Sequence, residues 1–237
     1  MKILALDSSG LTASVAVVED EITIAEYTVN YKKTHSQTLL PMLDEISKMT
    51  ELDLATVDAI ALAAGPGSFT GLRIGSATAK GLAQALQKPI VPVPTVDGLA
   101  GNLFGTDKLV CPLMDARRNQ TYTGLYEFQK QGDTYRMNRI LEQCAVALDE
   151  ILEKINSLGR EVIFLGDGVP VFCKQIEREI AVPYTFAPNF CNRQRASVIA
   201  WLGIQLFAEG KVQTALEHAP EYLRLSQAER ERIEAMQ

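Results

Sequence analysis

The chain has 237 residues, of which 47% are hydrophobic and 22% charged, and its formal net charge is −6. This length is sufficient for two lobes or for one large α/β domain with a substantial core. The acidic balance argues against a nucleic-acid platform. No apolar run reaches the ~20 residues that a membrane span needs, and Asp7 interrupts the first apolar run too early for a signal peptide. We therefore expect a cytoplasmic protein with no membrane partner.

The first hundred residues predict a meander followed by alternating helices and strands. An apolar run at 2–7 ends in Asp7, and alternating stretches at 13–18 and 22–29 follow, which predicts three antiparallel strands. The apolar stripe of HSQTLLPMLDEISKM predicts a helix, VDAIALAA a buried strand, and 70–86 a second helix. The prolines of IVPVP favour a strand at an edge of the sheet or at its exit.

The same order recurs from residue 109, which indicates an internal duplication. An apolar strand ends in Asp115, a polar turn follows, and a strand returns. Then come a strand near 135–141, a helix near 146–158, the strand EVIFLG, a turn at Gly166–Gly168 and another helix. We predict an α/β fold with a first lobe at 1–104, completed by a charged C-terminal helix near 215–237, and a second lobe at 105–214. The second lobe includes a long helix, ASVIAWLGIQLFAE, closed by Gly210.

The stretch AAGPGSFTGLRIGSATAKGLAQAL is rich in glycine but fits neither GxxxxGK[ST] nor GxGxxG. Without these motifs, the stretch offers only the general ability of a helix N-terminus to bind an anion. Two rows of small residues recur along the helix at four-residue spacing. Each row either packs closely against this chain's own sheet or faces a partner subunit. The rows are Gly71, Gly75, Ala79 and Ala83, and Ala77, Gly81 and Ala85.

Two strand-end carboxylates, Asp7 and Asp115, are the candidates for chemistry. Facing each other across two lobes, they could position a metal-bound phosphate, with Ser8 and Ser9 adding donors. Alternatively, each carboxylate caps its own turn. Four arginines could meet an anion or could be surface charges: Arg117, Arg118, Arg193 and Arg195.

Histidine and cysteine chemistry is not indicated. His35 and His218 have no metal-ligand spacing, and no serine lies in a GxSxG elbow. We expect His35 to cap the N-terminus of the helix that follows it. The unevenly spaced cysteines predict reduced, buried thiols: Cys111, Cys144, Cys173 and Cys191.

The chain resembles the TsaB (YeaZ) family over essentially its whole length. The resemblance rests on ILALDSS, HSQTLLPML, GPGSFTGLRIG, KPIVPVPTVDGLA, DARRNQTY and PEYLR, in this order. It implies an actin/Hsp70/sugar-kinase-like (ASKHA) fold with two duplicated RNase H-like lobes. It also implies an accessory subunit of the bacterial machinery that makes threonylcarbamoyladenosine in tRNA.

Comparison with TsaD, the catalytic paralogue, implies that this chain is not an enzyme. Where TsaD has the metal-binding histidines of HLEGH, this chain has Thr95 and Leu99. The turn at Gly166 and Gly168 is a thin remnant of the second phosphate loop. The resemblance thus implies no catalytic residue, no metal and no cofactor. The remnant cleft would comprise Asp7, Ser8, Ser9, Asp115, Gly166 and Gly168.

The resemblance also implies the partners. The chain alone would form a homodimer. In the active assembly it would form a heterodimer with TsaD, which TsaE joins. The chain would contact tRNA only through that complex. The assembly transfers threonylcarbamoyl to the adenosine next to the anticodon. The alternative function is an actin-like ATPase or a small-metabolite kinase that uses Asp7 and Asp115. The implied interface residues are His35, Gln37, Leu40, Gly67, Phe69, Thr70, Gly71, Arg73, Ile74, Gly75 and Thr78.

Overall fold

The computed structural model describes residues 1–224. The tail QAERERIEAMQ of the predicted C-terminal helix lies outside the described residues, and the described part of that helix, 215–224, consists of turns and irregular chain. The strands are β1 (Lys2–Asp7), β2 (Ala13–Glu19), β3 (Ile22–Val29), β4 (Ala59–Gly65), β5 (Ile90–Pro94), β6 (Leu109–Asp115), β7 (Gln120–Gln131), β8 (Thr134–Ala147), β9 (Val162–Leu165) and β10 (Tyr184–Phe186). The helices are α1 (Leu39–Met49), α2 (Phe69–Leu86), α3 (Thr95–Gly101), α4 (Leu148–Leu158), α5 (Val169–Glu179) and α6 (Ala196–Ala208).

Two sheets share one topology, which confirms the predicted duplication. In the first sheet the strand order is β3-β2-β1-β4-β5, and in the second it is β8-β7-β6-β9-β10. In each sheet the first strand pairs antiparallel with the second and parallel with the fourth. The central strands β1 and β4 are almost wholly buried, as their unbroken apolar runs require. The proline-containing β5 is an edge strand, as predicted.

The first sheet is covered on both faces. Helices α1 and α2 pack on one face through a core that includes Leu43, Leu62 and Ala79. Helix α6 packs on the other face through Ile199 and Ala200. The predicted lobe at 105–214 contains α6, whereas the structure places this helix on the sheet of the first lobe. Its N-terminus is held there by Glu26 of β3, whose carboxylate accepts hydrogen bonds from Ser197 N (3.0 Å) and Ser197 Oγ (2.7 Å).

Helix α3 lies between the two sheets and was missed by the sequence analysis. All seven of its residues are buried, so it has no polar face to give a helical periodicity. Val96 and Leu99 pack into the core of the second sheet. The buried carboxylate of Asp97 accepts a hydrogen bond from Tyr126 Oη (2.8 Å) and forms an ion pair with Arg139. These contacts fix α3 to β7 and β8.

The extent of β8 and the end of α6 bear on two further predictions. The third strand of the second block, expected near 135–141, extends over β8 as far as Ala147. Gly210 has φ of +73° just after α6, which fits the predicted helix end. None of the helices in residues 1–224 is both long and apolar enough to cross a membrane.

Candidate functional site

The glycines of GPGSFTGLRIG are required by close contacts within this chain. A Cβ atom on Gly67 would lie 2.3 Å from Ser9 O, and one on Gly71 would lie 2.1 Å from Ser8 O. A Cβ on Gly75 would lie 2.3 Å from Ser8 Oγ. Ser8 Oγ also donates a hydrogen bond to Gly71 O (2.9 Å). In the first row of small residues, Gly71 and Gly75 therefore pack against the turn between β1 and β2, whereas Ala79 and Ala83 lie in the core of the first sheet.

The first glycine of the motif is covered by a distant part of the chain. Gly65 has φ of +129°, and a Cβ there would lie 2.1 Å from Glu221 O. Glu221 N in turn donates to Ala64 O (2.7 Å). The PEYLR segment at 220–224 thus crosses directly over the start of the glycine motif.

The second row of small residues faces outward. Ala77, Gly81 and Ala85 are exposed, and a Cβ on Gly81 would have no atom within 4 Å. Among the residues that the structure describes, none covers this face of α2 at Gly81. Within residues 1–224, this row is therefore the one of the two that is open to contact with another protein.

The predicted interface residues divide by depth. The exposed ones are Gln37, Leu40, Thr70 and Arg73, and Leu40 has 54% of its surface accessible. The half-buried ones are Gly67, Phe69, Ile74 and Thr78. The buried ones, which support the surface from beneath, are His35, Gly71 and Gly75. The interface itself stays a prediction.

The predicted capping role of His35 is wrong. His35 is buried, and its Nε2 lies 2.8 Å from Gly10 O. Because a carbonyl oxygen only accepts, Nε2 carries the proton in this hydrogen bond. The short 3₁₀ helix at His35–Gln37 has Thr34 at its N-cap. His35 therefore ties the segment before α1 to the turn between β1 and β2.

Asp7 does not reach the cleft between the lobes. Asp7 has only 2% of its surface exposed, and its Oδ1 accepts hydrogen bonds from Ser9 N (2.9 Å) and Ser9 Oγ (2.7 Å). Burial raises the pKa of Asp7 to about 6, and the two hydrogen bonds from Ser9 oppose this shift. Asp7 thus caps its own turn, which was the simpler of the two interpretations.

The cleft has a volume of about 700 Å³ and includes Asp115 in its lining. Asp115 Oδ1 accepts from Arg117 N (2.8 Å), and Oδ2 lies 3.1 Å from Arg117 Nη1. Residues Arg117, Arg118 and Asn119 all have positive φ, which makes this turn tight. Asp115, like Asp7, therefore caps the turn that follows its own strand.

In the turn at Gly166–Gly168, the backbone N–H groups of both glycines are already hydrogen-bonded within the chain. Gly166 N donates to Asn192 O (3.1 Å), and Gly168 N donates to Leu113 O (2.9 Å). A Cβ on Gly166 would lie 2.1 Å from Leu113 O, so this glycine is required by the approach of β6. Neither glycine N–H is free to bind a phosphate. Asp167 lies in the cleft, and burial raises its pKa.

Thr95 and Leu99, the two positions that the resemblance pairs with histidines of TsaD, make other contacts in this chain. Thr95 is buried, and its Oγ1 accepts a hydrogen bond from Gly65 N (3.1 Å). Leu99 is buried in the core of the second sheet. Over residues 1–224, no three His, Cys, Asp or Glu side chains are grouped closely enough to hold a metal ion.

Most of the remaining polar candidates have structural partners, whereas Arg118 is exposed. Arg195 forms an ion pair with Glu26, which had not been predicted, and Arg193 Nη1 donates to Asn192 O (3.1 Å). His218 is buried between Ser76 Oγ (3.0 Å) and Gln213 Oε1 (2.9 Å).

The cysteine prediction is half right. All four cysteines are free, as expected, and Cys111 and Cys191 are buried. Cys144 and Cys173 are only half-buried, contrary to expectation. Burial raises the pKa of Cys111 to about 12, so this thiol stays protonated.

Comparison with known proteins decides the family. The family model described as "TsaD: tRNA N6-adenosine threonylcarbamoyltransferase" matches residues 23–232. A Bacillus subtilis protein named tRNA threonylcarbamoyladenosine biosynthesis protein TsaB is 35% identical over 241 residues, 99% of each chain. The chain belongs to the TsaB family. The Escherichia coli TsaB is 31% identical over 229 residues, 94% of this chain and 95% of its own length.

Solved structures agree with the family and the fold. A Pseudomonas aeruginosa protein, described as uncharacterized with similarity to peptidase YEAZ, has a TM-score of 0.78 and 26% identity, covering 94% of this chain and 99% of its own. A second structure, YeaZ from Pseudomonas aeruginosa, has a TM-score of 0.73 and 24% identity, covering 93% and 100%. The resemblance found in the TsaB motifs is thus confirmed.

Proposed function

We propose that this chain is a non-catalytic scaffold and activator in tRNA threonylcarbamoyladenosine biosynthesis, the process after which its TsaB relatives are named. In this proposal it docks on TsaD and, with TsaE, permits threonylcarbamoyl transfer to the adenosine adjacent to the anticodon. The chain alone forms a homodimer through the same surface, and tRNA is met only through the complex.

The observation that carries the docking proposal is the uncovered row Ala77, Gly81 and Ala85. Two or three small residues in a row let a second helix approach closely, and glycine within a helix costs ~1 kcal/mol relative to alanine. In the first row, close packing within this chain offsets that cost, because Gly71 and Gly75 accommodate Ser8. At Gly81, no contact among the described residues offsets the cost of a glycine within a helix. We therefore propose that close packing of a partner helix offsets it.

The absence of catalysis is proposed from the contacts that the candidate phosphate-binding groups already make within this chain. The carboxylate of Asp7 is buried in its own turn, and that of Asp115 is held by Arg117. The amides of Gly166 and Gly168 are engaged by the chain itself. These groups are therefore not arranged to receive a nucleotide phosphate, which supports the scaffold over the ATPase or kinase alternative.

The test uses the outward row of α2. Ala77→Arg places a long charged side chain on that row, and we expect at least about a tenfold loss of affinity for purified TsaD in titration calorimetry. Light scattering should show the homodimer lost as well. The matched control is Ala181→Arg, an equally small and exposed position in the second lobe. In a reconstituted assay with TsaD and TsaE, only Ala77→Arg should reduce tRNA modification.

Two results would contradict the proposal. If Ala77→Arg binds TsaD as wild type does, the outward row is not the docking surface. If the isolated wild-type chain binds Mg-ATP tightly and turns it over, and Asp7→Ala abolishes this turnover, the kinase alternative replaces the scaffold.

A further inference from the structure

The PEYLR motif belongs to a segment that crosses α2 and reaches the second lobe. This segment, residues 211–224, is here called the C-terminal strap. It begins beside β5, where Gln213 and Ile90 exchange two backbone hydrogen bonds of 2.8 Å. His218 then lies against Ser76 of α2, and Lys80 Nζ donates to His218 O (2.8 Å). The strap is thus anchored along the helix that carries the proposed docking surface.

Near its end, the strap adds an aromatic side chain to the start of α2. The ring of Tyr222 stacks on that of Phe69 with 4.5 Å between centroids. The Arg73 guanidinium lies 4.0 Å from the Phe69 centroid, and Arg73 Nε donates to Tyr222 Oη (3.3 Å). Tyr222 keeps 38% of its surface exposed. The three side chains form one cluster, here called the aromatic clasp, and two of them are predicted interface residues.

Two residues further on, the strap is fastened to the other lobe. Arg224 Nη1 donates to Ala116 O and also to Arg117 O (3.3 Å), both in the turn that follows β6. One residue separates this anchor from Tyr222, so their Cα atoms can be at most about 7 Å apart. The position of Tyr222 is therefore tied to the Asp115 turn.

We propose that Tyr222 is part of the docking surface for the partner subunit and that Arg224 is a positioning residue, which holds Tyr222 in place by binding the second lobe. The inference rests on the proposed function. Arg224 acts by preorganisation: without it, the end of the strap loses its anchor on the second lobe, and ordering Tyr222 on binding costs additional entropy. Exposed aromatic side chains that are already fixed are the typical energetic centres of such interfaces.

The experiment is a double-mutant cycle on affinity for purified TsaD, measured by titration calorimetry on the full chain. We expect Tyr222→Ala to weaken binding about tenfold or more, and Arg224→Met about threefold to tenfold. Tyr222→Phe, which keeps the stacking on Phe69, should retain most of the affinity. Because Arg224 acts through Tyr222, adding Arg224→Met to Tyr222→Ala should cause almost no further loss. The control is Arg178→Met, which removes an exposed guanidinium from the second lobe, away from the strap.

The outcomes separate this inference from the proposed function. If wild type does not bind TsaD, both fail. If wild type binds but Arg224→Met binds equally well, or the two losses add independently, the positioning role is overturned and the scaffold stands. Thermal unfolding of each variant identifies a loss of fold, in which case Arg224→Gln, which removes the guanidinium and shortens the side chain but stays polar, replaces Arg224→Met. A lowered melting temperature with unchanged affinity indicates a purely structural strap and also overturns the inference.

Discussion

The two lobes repeat one topology, yet their first turns have different surroundings. In the first lobe, the turn after Asp7 is covered by α2, whose Gly71 and Gly75 leave room for Ser8, and by Gly67 just before α2, which leaves room for Ser9. In the second lobe, the turn after Asp115 lines the cleft and carries the exposed Arg117 and Arg118. Neither Asp extends from its turn as a free ligand.

The two equivalent turns therefore have different roles: the first is part of the packing of its lobe, and the second lies at the surface of the cleft. The first turn has become part of the packing beneath the proposed docking helix, with His35 as an additional tie at Gly10. The second turn is open, and it is held from outside by Arg224 of the C-terminal strap. Substitutions in the first turn should therefore affect stability, whereas those in the second should leave it nearly unchanged.

The largest expected effect is that of Gly71→Leu. The Cβ atom alone would lie 2.1 Å from Ser8 O, which is backbone and cannot move cheaply. Overpacking of this kind costs typically 1–3 kcal/mol and more where the backbone must shift, so we expect a loss of about 3 kcal/mol or more in the free energy of unfolding. Urea denaturation followed by circular dichroism measures it.

Gly81→Leu is the matched control on the same helix. Its Cβ would have no neighbour within 4 Å, and leucine is a better helix former than glycine by somewhat less than ~1 kcal/mol. We expect unchanged or slightly higher stability. Equal losses in the two variants would mean that the first row is not packed as described. For the same reason Gly75→Leu, which would meet Ser8 Oγ at 2.3 Å, tests folding rather than docking.

The next largest effect is the pH dependence that Asp7 contributes. Its folded pKa of about 6 lies above the ordinary value of 3.8, so protonation favours the folded state. The stabilisation is complete below the ordinary pKa and is lost as the pH rises through 6. Between pH 7 and pH 5, wild type should therefore gain about 1 to 2 kcal/mol relative to Asp7→Asn.

Urea denaturation of both proteins at several pH values measures this difference. Comparing wild type with the variant removes the contributions of other carboxylates, such as Glu127, whose pKa is lowered by Arg160. A difference that stays constant from pH 5 to pH 7 would contradict the buried environment of Asp7.

Much of the fold could be predicted because strand alternation and strand-end Asp residues recur in both halves. The sheets, the edge position of β5 and the long α6 follow from local pattern. Helix α3 could not be found, since a helix buried on every side has no amphipathic period. The assignment of α6 to a lobe failed because connection along the chain does not determine which sheet a helix covers.

The candidate site was less predictable, since its contacts join distant residues. The sequence shows two rows of small residues on α2, but it does not reveal that Ser8 approaches only one of them. Arg224 is 108 residues from the Ala116 carbonyl that it binds, and no local pattern encodes this contact. The PEYLR motif was the available signal for this segment, because it contributed to the family resemblance although none of its residues had been assigned a role.

The smallest expected effect is that of Asp115→Asn. Arg117, its ion-pair partner, has 86% of its side chain exposed, and exposed pairs contribute about 0–1 kcal/mol. An asparagine Oδ1 can still accept the hydrogen bond from Arg117 N, so the turn keeps its cap. We expect the free energy of unfolding to change by less than about 1 kcal/mol. The rate of tRNA modification in the reconstituted assay should also stay at the wild-type value, because a scaffold needs the shape of this turn and not its charge. A large loss of modification by a folded, TsaD-binding Asp115→Asn protein would instead assign the carboxylate to chemistry in the cleft, and would favour the ATPase or kinase alternative.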